Sequence, residues 1–511
     1  MKRMMSLLCI TVCVLFSFCK KEVGGNDDNG GTNPPPVDTI PAIVTPTDPT
    51  LASSIGFFMD EWQAKTFSPP DAKDTAIPAS ASITVNIDAS TILTKVSPML
   101  FGNNANSWMG DFSNATLLQY ITDLKPKVIR FPGGSISDTY FWNQPANSKP
   151  ADAPSTLVSS DGTTSATGYW GGKNSDNWTC SVDKYYQMLQ QTHNEGMITI
   201  NYGYARYGTS DNPVAAAAHL AADWVRYDNG RTKYWEIGNE NHGTWEAGYR
   251  IDISQNKDGQ PEIVTGNLYG QHFKIFADSM KKAATEVGAT IYIGALLISQ
   301  QPQSWQTPTE QNWNQSVLST AGSTPDFLIT HDYFTAYQTN AQPAEILASA
   351  TSVPSTVMSY LNQSQQSAGV ASKPIALTEW NIFSQGSQQM VSFVAGMHAV
   401  LALNEFIKNK FGYSSRWDLA NAWDNGNDQG MFSQGGEPNV PLWNPRPTFY
   451  YEYFMQKMLG DRCINASVSG GININAYAST FSSGEIGVTL VNQSTSAQTI
   501  KLAYKNFNPR Q

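Results

Sequence analysis

From about residue 83 onward, short β-branched and aliphatic runs alternate with longer stretches whose apolar positions recur every three to four residues. The short runs are SPMLFGNN (97–104), KVIRFPGG (127–134), MITINYGY (197–204), KYWEIGNE (233–240), TIYIGALL (290–297), FLITHDYF (327–334), PIALTEW (374–380) and LANAW (419–423). Between them lie amphipathic stretches such as 114–125, 184–196, 212–227, 268–288 and 391–409. Apolar runs with no polar alternation fit strands covered on both faces, and strands alternating with helices fit βα units around a parallel sheet. Eight such units predict an α/β fold of the (β/α)8 TIM-barrel type. A doubly wound sheet is the competitor. It is expected to carry a glycine-rich phosphate loop, and the chain has neither GxGxxG nor GxxxxGK.

The period changes near the carboxyl end. ININAYAST (472–480), GEIGVTLVNQ (484–493) and AQTIKLAYK (497–505) alternate with period two, as does the early SITVNIDA (82–89). These predict an accessory antiparallel β-sandwich built from the C-terminal strands and one early strand. The expected organisation is a lead-in at 51–95, a catalytic-size barrel at 96–463 and sandwich strands at 464–511. So few strands leave that sandwich either small or short of part of its sheet.

The first 19 residues read as an address. Lys2 and Arg3 precede an apolar run from Leu7 to Phe18, too short to span a bilayer comfortably, which ends at Cys19. This pattern predicts a lipoprotein signal with Cys19 as the lipidated residue; ordinary cleavage nearby is the alternative. Residues 20–50 are rich in Gly, Asn, Asp and Pro and predict a flexible tether. The expected location is the bacterial cell envelope or surface through a lipid anchor, otherwise the medium. No later segment reads as a membrane span.

Composition narrows the partners. The chain has 511 residues, of which only 14% are charged, and a formal charge of −10. That balance disfavours nucleic acid, which is bound mainly through Lys and Arg on phosphate. Of five Cys, only Cys180 and Cys463 lie beyond the signal, either as a disulfide or as two free thiols. The six His are scattered and there is no CxxC, so neither a metal nor a cofactor is expected. DNGNDQG (424–430) resembles a calcium loop in composition only, and reads better as a plain or sugar-contacting loop.

In a barrel of this kind the chemistry sits at the carboxyl ends of the strands. Three strand ends are unusual: Gly238-Asn239-Glu240-Asn241 after the fourth, Glu379-Trp380-Asn381 after the seventh, and Arg130 with a Pro-Gly-Gly turn after the second. A carboxylate ending an apolar strand is costly unless it works or is paired. Alone, each is more simply an ion-pair or capping partner. Two on strands that face each other across the mouth suit glycoside hydrolysis, one donating a proton and the other attacking the anomeric carbon. Glu240 is expected as acid/base and Glu379 as nucleophile. The charge of Glu379 is expected to keep Glu240 protonated, and Arg130 to keep Glu379 ready to attack. Asn239 offers an amide to a sugar 2-hydroxyl. Glu236 lies deeper on the fourth strand and reads as a partner for Arg130. His331 and Tyr333 end the sixth strand and are expected to orient the nucleophile. Trp108, Trp142, Tyr204, Trp245, Trp380 and Trp423 lie near strand ends and are candidate sugar contacts, with core packing the plainer reading for any one of them.

GNEN at the fourth strand, TEW at the seventh and RFPGG at the second together resemble the retaining glycoside hydrolases of clan A, most like the α-L-arabinofuranosidases of family 51 and their relatives. The resemblance covers about residues 83–511. It implies the barrel with an appended sandwich, Glu240 as acid/base, Glu379 as nucleophile, Asn239 as the 2-hydroxyl ligand and Tyr333 as the tyrosine beside the nucleophile. The span from Glu240 to Glu379 is longer than family 51 leads one to expect, and the turn after RFPGG reads SISDTYFWN. The expected partner is therefore a poly- or oligosaccharide. The expected activity is α-L-arabinofuranosidase, or alternatively an endo-β-glycanase of the same clan. A non-catalytic polysaccharide-binding lipoprotein is the reading from another class.

Overall fold

The computed structural model describes residues 43–71, 75–76 and 80–508. The signal, Cys19 and most of the expected tether lie outside the described residues. Residues 43–50, the tether's expected end, are pinned instead. Val44 exchanges two hydrogen bonds with the Asn506 side chain, and Asp48 pairs with Lys95 and Arg462. A segment without apolar mass can still be held by its backbone and one carboxylate. Among the described residues, no helix is long and apolar enough to cross a membrane.

Eight parallel strands close into a barrel: Gly102–Asn104, Val128–Phe131, Glu195–Ile200, Tyr234–Ile237, Tyr292–Leu296, Phe327–Tyr333, Ile375–Asn381 and Tyr413–Arg416. Each is followed by a helix on the outside, beginning with Ala115–Leu124 and ending with Pro447–Met458. Local signals place the helices. Asn114 caps the first by accepting from the Thr116 and Leu117 N–H groups, and Thr307 with Glu310 forms a capping box around Pro308. One large buried cluster joins barrel and helices. Ahead of the barrel, the turn at Gly56–Met59 brings Phe58 against Tyr234, Phe327 and Tyr413, closing the amino end.

The eighth strand corrects the sequence reading. It is Tyr413–Arg416, not 419–423; Ala420–Asn421 makes only a short pairing with Phe432–Ser433. The true strand carries Ser414 and Ser415, so it has no apolar run to see. Ser414 donates to the Leu100 carbonyl. Gly102 on the first strand leaves room for Ser415, since a Cβ there would stand 2.4 Å from its hydroxyl. Small hydroxyl side chains thus close the barrel where branched aliphatics were expected.

The accessory sheet has five strands in the order Ile486–Asn492, Ile474–Thr480, Arg462–Ser469, Ile83–Lys95, Ile500–Lys505. Its pairings are antiparallel except the last, which is parallel. Val85, Ile87, Ile92, Ile464 and Ala478 form its separate core. Tyr477 ties it to the barrel by donating to Glu405 on the helix Phe393–Lys408. Cys180 and Cys463 are buried free thiols, so the disulfide alternative falls away.

Candidate active site

The strand ends converge on Arg130, which is fully buried on the second strand. Its Nε donates to Glu236 Oε2 at 2.6 Å, as the deeper place of Glu236 on the fourth strand suggests. Its Nη1 donates to Glu379 Oε1 at 2.7 Å and Asn104 Oδ1 at 2.9 Å, and its Nη2 to Asn239 Oδ1 at 2.9 Å. One guanidinium therefore joins the first, second, fourth and seventh strands in a planar, donor-only fork.

Backbone geometry presents the two carboxylates. Gly238 has φ +79, and a Cβ there would stand 1.9 Å from Asn241 Oδ1, so only glycine fits this exit from the fourth strand. Glu240 itself sits at φ +44, a conformation that non-glycine residues keep only when their surroundings enforce it. Buried Asp138 supplies part of that enforcement, accepting from the Gly203 N–H, the Asn239 N–H and Asn241 Nδ2. On the seventh strand a register shift between Thr330 and His331 places Glu379 beside His331. The extra residue, Thr378, meets His331 Nε2 through its hydroxyl at 3.0 Å.

All four carboxylate oxygens already have donors. Glu379 Oε2 accepts from Tyr333 Oη at 3.0 Å. Glu240 Oε1 lies 2.8 Å from His331 Nδ1, and its Oε2 accepts from Trp245 Nε1 at 3.0 Å. Glu240, His331 and Glu379 offer atoms within 4.8 Å of one another, a spacing that could also hold a cation. The carboxylate lone pairs are directed at Arg130, Tyr333 and Trp245, and His331 bridges Glu240 and Thr378, which suits proton transfer better than metal ligation. The loop 424–430 folds on itself, with Asp428 near Arg446.

His331 changes the expected electrostatics. Burial alone would push it down, but the charge of Glu379 and the bond to Glu240 outweigh this and hold it above the ordinary histidine value. Burial would raise Glu240, but the hydrogen bond and charge of His331 pull it well below the usual carboxylate range. His331 stands between the two carboxylates, so the ionisation of Glu240 is governed by its bond to His331 rather than by the charge of Glu379 alone. Its hydrogen-bonded carboxylate is Glu240, not the expected Glu379, which it approaches only to 3.8 Å.

A cleft of about 1040 Å³ opens over these groups. Trp108, Trp245 and Tyr333 line it, together with Trp417, Tyr337 and Phe383, which the sequence reading missed. Trp245 reaches Glu240 because Gly243 leaves it space; a Cβ there would stand 2.4 Å from the indole. Four candidate sugar contacts lie elsewhere. Trp142 is buried against Trp224 and donates to the Leu220 carbonyl. Tyr204 is buried and donates to Asp152. Trp380 alternates away from Glu379 and packs against Phe406 outside the strand. Trp423 is not among the cleft-lining residues, and its backbone N–H bonds to Gly435. Glu246 was also missed: it is buried beside the cleft, accepting from Ser135 and Asn239.

Residues 120–342 match the family described as α-L-arabinofuranosidase 1 domain. That stretch carries Arg130, Asn239, Glu240, His331 and Tyr333. No curated protein matches the chain by sequence. Among solved structures, the α-L-arabinofuranosidase of Thermotoga maritima in its arabinose complex superposes with TM-score 0.57 at 16% identity, over 83% of this chain and 88% of that one. A family 51 α-L-arabinofuranosidase from Bifidobacterium longum gives 0.58 at 17% identity, over 84% and 88%. A bifunctional glucanase-xylanase from a metagenome library gives 0.53 at 14% identity, over 82% and 90%. At such identities the structural likeness speaks for the shared fold. The family match spans the second to sixth strands and the structural likeness shows the fold: the chain has the barrel of the solved α-L-arabinofuranosidases and resembles that family over residues 120–342.

Proposed function

We propose that this chain cleaves glycosidic bonds of a cell-wall or storage polysaccharide by double displacement, with retention at the anomeric carbon. The supporting observation is the separation of the carboxylates. Their facing oxygens lie within 4.8 Å. Retaining enzymes hold the two groups about 5–5.5 Å apart, whereas inverting ones leave roughly 6.5–9.5 Å for a water. In the first step Glu379 attacks the anomeric carbon, the bond to the leaving oxygen breaks, and that oxygen takes the proton of Glu240. In the second step a water gives a proton to Glu240 and its oxygen displaces Glu379. Arg130 and Tyr333 fix Glu379, and Asn239 donates to the sugar 2-hydroxyl. Read with the amino-terminal signal, the enzyme works at the cell envelope or outside the cell.

The leading substrate is an α-L-arabinofuranoside, on the family match. An endo-β-glycanase is the second reading, favoured by the cleft's size and by Tyr337 and Trp245, which stand 68% and 58% exposed along it. Pockets that bury a drug-sized ligand span about 300–1,000 Å³, so this cleft has room for more than one sugar ring. A hydrolysis screen of aryl α-L-arabinofuranoside, β-xyloside, β-glucoside and β-galactoside against wall polysaccharides separates the two. Aryl alcohol from one glycoside names the sugar and an exo mode. Oligosaccharides from a polymer alone name the endo mode. Silence with retained polymer binding would overturn the catalytic reading.

Two variants test the proton path. Aryl leaving groups of low pKa need little proton donation, so Glu240→Ala should still form the glycosyl-enzyme from them while losing about 10²–10⁴-fold on poor leaving groups. Equal loss on all substrates counts against Glu240 as the acid. In the wild type the leaving-group proton is held jointly by His331 and Glu240, and is lost as pH rises through the raised His331 value. We expect kcat/KM to hold past the ordinary histidine value of 6.5 and to fall above it. In His331→Asn the proton has only Glu240 to sit on, so the alkaline limb moves to lower pH. A limb that stays put removes His331 from the path.

A further inference from the structure

We propose that Glu246 is a positioning residue that fixes the side-chain amide of Asn239 as a hydrogen-bond donor to the substrate's 2-hydroxyl. The inference rests on the role given to Asn239 above. The geometry that carries it is a relay of single contacts. Arg130 has donors only, so the Asn239 atom 2.9 Å from its Nη2 must be the oxygen. The other end of the amide is then the nitrogen, and it donates to Glu246 Oε1 at 2.9 Å. Glu246 is buried at the end of its own short turn, and Ser135 Oγ completes the same oxygen at 2.7 Å. With its oxygen on Arg130 and one N–H on Glu246, Asn239 keeps one N–H, and Asn239 lines the cleft. That remaining hydrogen can only be donated. Without Glu246 the amide is anchored at one end, and its second N–H has no fixed direction.

A carboxyl serves here as a plain acceptor. Burial pushes Glu246 well up, and the charges of Asp138 and Glu240 push it further. Its Oε1 is the acceptor in both contacts, from Ser135 and from Asn239. A glutamine can make the same bond, and an alanine cannot. Bonds to the 2-hydroxyl strengthen in the oxocarbenium-like transition state, so a fault in this relay shows as lost discrimination between a glycoside and its 2-deoxy analogue.

The test uses the purified enzyme with the 4-nitrophenyl glycoside picked out by the screen, α-L-arabinofuranoside in the leading reading, and its 2-deoxy analogue. We expect the wild type to prefer the hydroxylated substrate by about 100-fold or more in kcat/KM. Glu246→Ala and Asn239→Ala should each cut that ratio by about tenfold. The double variant should be no worse than Asn239→Ala alone, because the two residues act through one contact. Glu246→Gln should keep the wild-type ratio. Losses that multiply in the double variant overturn the proposal. So does an equal loss on both substrates in Glu246→Ala, or a Glu246→Gln that behaves like Glu246→Ala. If Glu246→Ala does not fold, Glu246→Leu fills the volume without the acceptor and is read in the same way. An unchanged ratio in Asn239→Ala instead sinks the role of Asn239 itself, which separates the two failures.

Discussion

Glu379→Ala is expected to abolish turnover on every substrate while leaving the fold intact. Removing a covalent nucleophile costs roughly 10⁴–10⁶-fold in enzymes where it has been isolated. The fold should survive because the buried charges stay balanced. Arg130 keeps Glu236 at 2.6 Å, with Asn104 and Asn239 still accepting from its other nitrogens. His331 keeps Glu240. Glu379 lines the cleft, so water can enter the vacated space. A stability change within about 1 kcal/mol follows. The decisive measurement adds azide to the variant with an aryl glycoside. Azide occupies the emptied position, attacks the anomeric carbon as the aryl oxide leaves, and yields a glycosyl azide of inverted configuration. Appreciable hydrolysis without azide, or an azide product of retained configuration, would sink the nucleophile assignment.

The site was legible where chemistry interrupts a buried strand. A parallel barrel strand is covered on both faces, so it reads as an apolar run, and Glu240 and Glu379 stand out as polar ends of such runs. Arg130 stands out for the same reason, and Glu236 could be matched to it by its deeper place on the fourth strand. The eighth strand was illegible because Ser414 and Ser415 close it through hydroxyls rather than apolar bulk. Misplacing it hid Trp417, which follows it directly and lines the cleft. Four of the six aromatic candidates lie away from the cleft for a different reason. Closeness to a strand end says nothing about which side a ring takes, and Trp380 sits next to Glu379 yet faces the opposite way. Glu246 lies in a loop six positions past Glu240. Its partner Asn239 is set by a turn rather than by any periodicity, so no pattern along the chain could announce the contact.

Arg130→Met should do to stability what Glu379→Ala does not. Both substitutions remove one side chain from the same cluster, but only the first removes its cation. Arg130 and Glu236 are both fully buried. Without the guanidinium, Glu236 keeps only the Thr199 hydroxyl at 2.9 Å, and its Oε1 is already without a partner. Asn104 and Asn239 each lose a donor as well. Breaking a buried pair in this way costs about 3–5 kcal/mol, because the stranded charge cannot reach water. The stranded carboxylates can escape by binding protons, which raises their values in the folded variant above those in the unfolded chain. A raised acid destabilises above its unfolded value, with the penalty growing as pH rises towards the folded one. The deficit of Arg130→Met against the wild type, measured by chemical denaturation, should therefore be largest near neutral pH. It should shrink as pH falls towards the ordinary glutamate value of about 4.3. A variant as stable as the wild type at pH 7, or a deficit independent of pH, would show that volume rather than charge governs the cluster. A large neutral-pH deficit beside an unperturbed Glu379→Ala would show that one buried cation holds two carboxylates in place, only one of which faces the cleft.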